Sequence, residues 1–280
     1  MDSGFDTVIA LHDVGKHFAT RRNSRNVVLS GVHLDIRAGE FISIVGASGC
    51  GKTTLLRMIG GLAPYTEGEI LVRGAAVHGV PPRIGFVFQD SALLPWRSIR
   101  ENVLVGLNER RDEMPAALCQ QRVDEKLELV GLSEYASYLP AQVSGGMQQR
   151  AGLARALVGE PDILLMDEPF GAVDAFTRMR LQDELATIVA RTSATTVFVT
   201  HDVDEAVFLS DRVAVMGVNP GRIVELLTID LPKPRLHRTE LLGNARAAQL
   251  RDRILELVIG GRMLVTPASP GPLPREGALE

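Results

Sequence analysis

Residues 46–54, Gly-Ala-Ser-Gly-Cys-Gly-Lys-Thr-Thr, limit the fold of this chain more than any other stretch. They fit the pattern G-x-x-x-x-G-K-[ST]. Residues 41–45 before them form a short apolar run rich in β-branched side chains, and residues 53–59 after them read as the start of a helix. A strand, a glycine-rich loop and a helix in this order direct backbone N–H groups and a helix N-terminus at one anion. The sequence therefore predicts a phosphate-binding loop between a buried parallel strand and a helix.

Each position of this loop has an expected task. The glycines let the backbone approach a phosphate without an intervening Cβ. Lys52 is expected to reach the β- and γ-phosphates, the Thr53 hydroxyl to ligate Mg²⁺, and Thr54 to donate to the α-phosphate. ATP and Mg²⁺ are therefore the expected cofactors. The predicted nucleotide-binding positions of the loop are Gly46, Ala47, Ser48, Gly49, Cys50, Gly51, Lys52, Thr53 and Thr54.

A second apolar run ends in two acids, Asp167 and Glu168. Ligands of open α/β sheets lie at the carboxyl ends of the strands, where such a run delivers both carboxylates. Asp167 is expected to hold Mg²⁺ through water, as an acid at this place does in phosphate-loop NTPases. Glu168 is then placed to polarise the attacking water. The alternative is an acidic turn after a strand, which the phosphate loop disfavours because that loop needs a metal partner.

Two more strand-like runs end in polar residues. Residues 195–200 end at His201, and residues 84–88 end at Gln89. If these strand ends converge on the γ-phosphate, His201 is a candidate to contact it. Taken alone, a histidine after a strand is more often a turn residue, and a single glutamine is most often solvated.

Another glycine-containing motif, Ser144-Gly145-Gly146, precedes a helix-like segment over residues 147–158. Serine is a favourable N-cap, and N–H groups together with the helix dipole favour an anion at such a terminus. One chain cannot easily bring two phosphate-binding helix N-termini onto one γ-phosphate across a rigid sheet. Head-to-tail pairing of two chains solves this and makes two equivalent sites. A homodimer is therefore expected.

The order of these motifs between residues 18 and 210 resembles that of ABC transporter nucleotide-binding subunits. The resemblance implies ATP hydrolysis. The implied fold is α/β: a phosphate-loop NTPase core with an N-terminal antiparallel β subdomain and a helical signature subdomain. Catalytic roles are then expected for Glu168, His201 and Lys52, and metal binding for Thr53, Gln89 and Asp167.

Further site residues follow only from this resemblance. Phe18 would stack on adenine, Gln89 would sense Mg²⁺ and the permease, and His201 would be the switch histidine. Ser144 and Gly146, with Gly145 between them, would bind the γ-phosphate held by the partner chain. Asp174, in the loop of residues 171–174, would lie at the contact between the two chains.

Val143 and Met147 depart from the common family signature, which begins with Leu and ends with Gln. The Met147 side chain cannot donate a hydrogen bond, so any contact made by that Gln is absent or replaced. A methionine at this place resembles the signature of importer ATPases for nitrate, sulfonate and taurine. Residues 93–103, 167–171 and 200–206 also resemble the corresponding stretches of that group. The expected partners are integral membrane permease subunits and, indirectly, a solute-binding protein. The prediction of import, as opposed to export, rests on the resemblance alone, and the sequence does not identify the transported solute.

Length, charge and hydrophobicity limit the classes of protein to which the chain can belong. The 280 residues, 45% of them hydrophobic, are ample for a large core. A net charge of −4 argues against general nucleic-acid binding. No run approaches the roughly 18 apolar residues of a membrane span, and no signal-peptide pattern opens the chain. We therefore expect a peripheral position on the cytoplasmic face of the inner membrane, through the permease.

The expected organisation has five parts. They are an antiparallel β region with the phosphate-loop half of the core (residues 1–90), a helical subdomain with the signature (91–159), the rest of the core (160–235), a C-terminal helix (236–264) and a disordered tail (265–280). Antiparallel alternation is predicted over residues 8–45, with an exposed loop at residues 21–26. Residues 116–129 are the clearest amphipathic helix, and residues 240–259 read as the terminal helix.

Cys50 and the single tryptophan, Trp96, each have two possible roles, whereas no function is expected for Cys119. Cys50 is either a thiol with lowered pKa near a helix N-terminus or, as favoured, a small residue whose backbone N–H acts. The place of Cys50 in the loop argues against a structural disulfide. Cys119 lies in a helical stretch, and nothing in the sequence assigns it a function. Trp96 is either an ordinary packed aromatic or, as the resemblance implies, part of the permease contact.

Two other functions are compatible with parts of the sequence. One is an ABC ATPase outside transport, of the translation or DNA-repair type. Translation types usually carry two cassettes, and repair types carry long coiled-coil or zinc insertions, whereas this chain has one cassette, no sustained heptads and no cysteine cluster. The other is a regulatory module with little turnover, against which Glu168 argues.

Overall fold

The computed structural model describes residues 6–19, 25–107, 114–171, 173–192, 194–233, 235, 237–241 and 243–263. Its strands are β1 (Thr7–Ala19), β2 (Arg25–Arg37), β3 (Phe41–Gly46), β4 (Glu67–Val72), β5 (Ala75–Ala76), β6 (Ile84–Val87), β7 (Ile163–Asp167), β8 (Thr195–Thr200), β9 (Arg212–Gly217) and β10 (Arg222–Thr228). Its helices are α1 (Lys52–Ile59), α2 (Ile99–Val105), α3 (Ala116–Leu129), α4 (Gly145–Leu157), α5 (Ala175–Arg191), α6 (Val203–Leu209) and α7 (Ala245–Met263).

The strands form two sheets. The first is antiparallel with the order β2-β1-β4-β5. The second has the order β10-β9-β3-β8-β7-β6 and is parallel from β9 to β6, with β10 antiparallel at its edge. Every residue of β3, β7 and β8 is buried, as expected for parallel strands covered on both faces. The expected α/β fold with an antiparallel β region and a helical region is confirmed.

The antiparallel prediction for residues 8–45 is confirmed for β1 and β2 but does not hold for residues 41–45, which form the buried parallel strand predicted from their apolar run. Strand β3 lies between β8 and β9 and pairs with both in parallel. The reason is that its side chains are buried on both faces, a demand that the second sheet meets. Of the predicted exposed loop, Arg25 and Asn26 belong to β2, and the other positions lie outside the described residues.

Successive residues of β7 contribute to different hydrophobic cores. Ile163 and Leu165 pack in the core that contains the apolar side chains of α1 and much of the first sheet. Leu164 and Met166 pack in the core built with α2, α3, α4 and α5. Since strand side chains alternate between faces, the phosphate-loop helix and the signature helix are packed on opposite faces of the second sheet.

Helix predictions agree with the structure in the middle of the chain and less well near its end. Helix α3 has the predicted bounds, and a Ser98–Glu101 capping box begins α2. Helix α7 begins at Ala245 and not at residue 240, because Asn244 Oδ1 caps it by accepting from the backbone N–H groups of Arg246 and Ala247. A 3-10 turn, Arg238–Leu241, precedes it.

The boundaries between the five predicted parts stay a prediction, and the predicted tail lies outside the described residues. In the portions of the chain that the structure describes, no helix has the length and apolar character needed to cross a bilayer.

Candidate functional site

The loop after β3 depends on two glycines with left-handed backbone conformation. Gly49 has φ 81° and Gly51 has φ 100°, a region that glycine adopts without the penalty of a Cβ. A Cβ on Gly51 would also lie 2.6 Å from Leu29 Cδ2. Gly51 is the N-cap of α1, and no side chain caps this end of the helix. The positive end of the helix dipole is therefore directed at the loop.

The Lys52 ammonium lies over this loop. Its side chain is only 4% exposed, and Nζ donates to the carbonyl oxygens of Gly46 at 2.9 Å and Ala47 at 3.3 Å. Nζ is also 3.7 Å from Glu168 Oε1. Two carbonyl oxygens and one carboxylate thus hold the Lys52 side chain over the loop.

Thr53 and Asp167 meet beneath the loop. The Thr53 hydroxyl donates to Asp167 Oδ1 at 2.8 Å, which joins the first turn of α1 to the end of β7. Asp167 is 1% exposed, and burial raises the pKa of its carboxyl, although the Thr53 hydrogen bond and the nearby Arg57 oppose this effect. A hydroxyl and a carboxylate are the hard oxygen donors that suit Mg²⁺.

Glu168 has a different environment from its neighbour. Its φ of 41° is uncommon for a residue other than glycine, and its backbone N–H donates to Val199 O at 2.9 Å. This turn directs the carboxylate away from the strand, between Lys52 Nζ and His201 Nδ1, which is 2.9 Å from Glu168 Oε2. Glu168 therefore contacts both Lys52 and His201, which were predicted from separate stretches of sequence.

Phe18 and Gln89 lie outside this cluster of contacts. Phe18 is 50% exposed, and Lys16 Nζ lies 4.9 Å from its ring centroid. Gln89 is exposed two residues after the end of β6, and its backbone carbonyl accepts from Gln149 Nε2 of α4 at 2.7 Å. Its own Nε2 is 3.8 Å from the place of a Cβ on Gly171, so the amide is near the turn that follows Glu168.

The signature residues and Asp174 are adjacent through Thr177. Ser144 is the N-cap of α4 and accepts from the Met147 N–H at 3.3 Å, as the sequence predicts. Gly146 is buried, and a Cβ there would lie 2.9 Å from Thr177 Cγ2. Asp174 caps α5 by accepting from the Thr177 N–H at 3.1 Å, and hydrogen bonding from the Thr177 side chain and backbone lowers the pKa of its carboxyl. The exposed groups Ser144, Gly145 and Asp174 thus form one surface.

Cys50 contradicts the reactive-thiol alternative. Its side chain is 2% exposed within the core that contains α1. Burial raises the pKa of the thiol above its ordinary value despite the proximity of Lys52. The interpretation that favours the backbone of this residue agrees with that environment.

Several buried polar residues near the site were not found from the sequence. Gln149 contacts the Gln89 carbonyl, and Glu205 and Gln182 form a buried hydrogen-bonded pair behind His201. Single polar residues in helices give no signal of which ones face a neighbouring element. By contrast, Trp96 is 72% exposed, so the alternative of an ordinary packed aromatic is wrong.

A glycine-rich loop at a helix N-terminus, beside acids at the end of a parallel strand, makes this chain a phosphate-loop nucleotide-binding protein. The sequence profile of the ABC transporter family matches residues 29–171. An aliphatic sulfonates import ATP-binding protein of Xanthomonas axonopodis pv. citri is 48% identical over 228 residues, which are 81% of this chain and 88% of that protein. The chain belongs to the ABC transporter family and is an ATP-hydrolysing cassette.

Two other relatives agree. A bicarbonate transport ATP-binding protein of Synechococcus elongatus is 42% identical over 248 residues, covering 88% of this chain and 37% of that longer protein. The dimeric ATP-binding cassette MJ0796, solved in a post-hydrolysis state with ADP and Pi, superposes with a TM-score of 0.71. It is 31% identical, and the match covers 80% of this chain and all of that one.

Proposed function

We propose that this chain is the ATP-hydrolysing motor subunit of an importer resembling those for nitrate, sulfonate and taurine. It acts as a homodimer on separate membrane permease subunits, at the cytoplasmic face of the inner membrane, and a solute-binding protein delivers the solute. The observation that carries the proposal is the contact of Lys52 and His201 with Glu168, beside the Thr53–Asp167 pair. The names of the relatives, which are import and transport ATP-binding proteins, support the importer class.

ATP binds along the loop of residues 46–54, with its adenine on the half-exposed Phe18 ring. The phosphates replace the Gly46 and Ala47 carbonyls as partners of Lys52 Nζ, since an anionic oxygen is the stronger acceptor for an ammonium. Thr53, Asp167 and Gln89 would hold Mg²⁺. When bound, the ion neutralises the charge that develops on the β- and γ-phosphate oxygens.

Hydrolysis depends on Glu168 and His201. The movement of Lys52 toward phosphate releases one partner of the Glu168 carboxylate, which then accepts a hydrogen bond from the attacking water. His201 keeps its contact with Glu168 and faces the γ-phosphate. The two residues together orient the water and the group that it attacks.

The second half of each ATP site comes from the partner chain. Ser144, Gly145 and Gly146 begin a helix on the opposite face of the sheet from the phosphate-loop helix. Their N–H groups and the α4 dipole are available to a γ-phosphate bound by another copy. Asp174 lies beside them and contacts the same partner. The dimeric MJ0796 cassettes support this arrangement.

The hydrolytic role is tested with Glu168→Gln, which keeps the shape of the side chain and removes its charge. We expect ATPase activity to fall about 10²- to 10⁴-fold, the typical size of a general-base contribution. ATP affinity should be retained, and an ATP-bound dimer should accumulate on size exclusion. Turnover at the wild-type rate would remove Glu168 from this role.

The permease contact is tested at Trp96. Backbone hydrogen bonds from Ile99 and Arg100 to Tyr138 and Ala136 place this tryptophan in the same surface region as the exposed Tyr138 ring. Trp96→Ala should reduce co-purification of a multi-span permease from detergent-solubilised membranes, while the isolated subunit hydrolyses ATP as before. Ile259→Ala, at an exposed apolar side chain on α7, is the control. Undiminished co-purification of Trp96→Ala would contradict this contact, and co-purifying ribosomes or DNA would favour the non-transport alternative.

A further inference from the structure

Glu205 is a buried carboxylate that the proposed mechanism does not use. It lies in the first turn of α6, four residues after His201, and is 4% exposed. Its two oxygens have different partners: Oε2 accepts from the Thr200 hydroxyl at 2.5 Å, and Oε1 accepts from Gln182 Nε2 at 2.8 Å. Burial raises the pKa of this carboxyl. Burying an acid of this kind costs free energy, which the hydrogen bonds from Thr200 and Gln182 offset in part.

Thr200 connects Glu205 to the turn that carries His201. It is the last residue of β8 and is 2% exposed. Its oxygen donates to Glu205 and accepts from the Asp202 N–H at 3.0 Å, so it fixes the backbone on both sides of His201. Asp202 in turn caps α6 by accepting from the N–H of Glu205 at 3.2 Å. A closed set of hydrogen bonds therefore holds the backbone turn that carries His201.

Gln182 extends this network on its other side. It lies on α5, is fully buried, and its Oε1 accepts from Arg238 Nη1 at 2.6 Å. Each hydrogen bond therefore has a defined direction: Arg238 donates to Gln182, and Gln182 and Thr200 both donate to Glu205. Glu205 accepts at both oxygens, whereas an amide at that place has one oxygen and would leave either Thr200 or Gln182 without its acceptor.

We propose that Glu205 is a positioning residue for ATP hydrolysis, which holds the turn of residues 200–202 so that His201 meets Glu168 and the γ-phosphate. The inference rests on the proposed function, because it assigns Glu205 a task through His201. The contacts of Glu205 favour a positioning role over a role in stability alone. One carboxylate oxygen binds the side chain that fixes the backbone on both sides of His201, and an apolar residue could fill the space without that bond.

The direct test is Glu205→Gln. We expect the maximal rate of phosphate release to fall about 10- to 100-fold, the range found when a partner that orients a metal-ligating histidine is removed. The Kd for ATP, measured by calorimetry, should stay within about twofold of the wild-type value. Glu256→Gln, at a carboxylate that is 72% exposed on α7, is the control and should hydrolyse normally.

The exchange variant Glu205→Gln with Gln182→Glu separates positioning from a general effect on packing. In it, the new amide at 205 donates to the carboxylate at 182, which also accepts from Arg238, and Thr200 again has an acceptor. The exchange should recover most of the rate lost in Glu205→Gln. If the exchange variant folds but stays as slow as the single variant, or if the single variant runs at the wild-type rate, the proposal is overturned.

Thr200 provides a second route if Glu205→Gln does not fold. Thr200→Val removes the hydroxyl at nearly constant volume and should lower the maximal rate without changing ATP affinity. Thr200→Ser keeps the hydroxyl and should retain most of the activity. Equal rates for Val and Ser at this position would also overturn the proposal. A wild-type protein without ATPase activity would instead refute the proposed function.

Discussion

Asp167 and Glu168 are neighbours in the chain, yet the structure gives them different surroundings. Asp167 ends β7 beneath the phosphate loop and accepts from Thr53, whereas Glu168 turns out of the strand with a positive φ and contacts Lys52 and His201. The buried acid suits a metal ion because the ion's charge offsets the cost of burying a carboxylate. The acid outside the strand suits a water molecule, since part of its surface stays accessible.

Asp167→Asn should stabilise the nucleotide-free protein. Burial raises the pKa of this carboxyl in the folded state, so the charged form is less stable there than in the unfolded chain. The free energy of unfolding of the wild type therefore falls as the pH rises from the ordinary value of 3.8 toward the raised value. We expect a higher melting temperature for Asp167→Asn at pH 7, with a smaller difference as the pH is lowered toward 3.8.

Calorimetric scans of both proteins across this pH range, without nucleotide, measure the effect. A variant that melts below the wild type at pH 7 would show that the carboxylate stabilises the empty site. Asp252→Asn, at an exposed position on α7, should leave the melting temperature unchanged.

At the scale of elements, α4 is joined to the segment that follows β6. Besides the Gln149 contact, Arg155 donates to the carbonyls of Ser91 and Ala92, both at 2.7 Å. Ala92 has φ 47°, an uncommon conformation that these hydrogen bonds support. The helix that begins with the signature and the segment that begins with Gln89 therefore form one packed unit.

Arg155→Met should destabilise the protein because it removes two charge-assisted hydrogen bonds and leaves two carbonyls without these partners. We expect a loss of about 2 kcal/mol or more in the free energy of unfolding, from the usual size of hydrogen bonds to charged groups. Urea unfolding followed by circular dichroism measures it. Arg180→Met on α5, at a side chain that is 74% exposed, should change the free energy by less than about 0.5 kcal/mol. Equal stability of both variants would show that the Arg155 contacts contribute nothing net.

At the scale of the whole molecule, the two helix N-termini that we propose to bind phosphate belong to helices on different faces of one sheet. Helix α1 belongs to one core and α4 to the other, and the central strands β3, β7 and β8 lie between them. A close-packed sheet does not rearrange to bring both ends to one phosphate. We therefore propose that residues of two chains compose each complete site.

The signature should therefore act in trans. Ser144→Arg and Lys52→Ala each inactivate a homodimer, but a mixed dimer has one site with both changes and one site with neither. Mixing the two inactive proteins should recover part of the wild-type ATPase activity, measured as phosphate release. The partial recovery follows because only a fraction of the dimers is mixed and each mixed dimer has one intact site.

Strict coupling between the two sites would also suppress recovery, so crosslinking is the control. A cysteine at position 144 should crosslink to one in the partner's phosphate loop only when ATP is present. Absence of both recovery and crosslinking would contradict the head-to-tail dimer.

The sequence by itself determined the local parts of this protein. The phosphate loop, its flanking strand and helix, the acids after β7 and the Ser144 cap rest on short-range periodicity and on backbone conformations that particular residues allow. Such features need only a few neighbouring residues, so one sequence suffices to predict them. The same holds for α3, whose apolar spacing alone predicts its bounds.

Only the tertiary structure decided the features that join distant segments. It placed β3 between β8 and β9, buried the Cys50 thiol, and brought Gln182, Glu205 and Thr200 together behind His201. Each of these depends on which faces are covered by segments far away in the chain. A buried acid and an exposed one have the same letter in the sequence, and packing alone determines the partners that each of them finds.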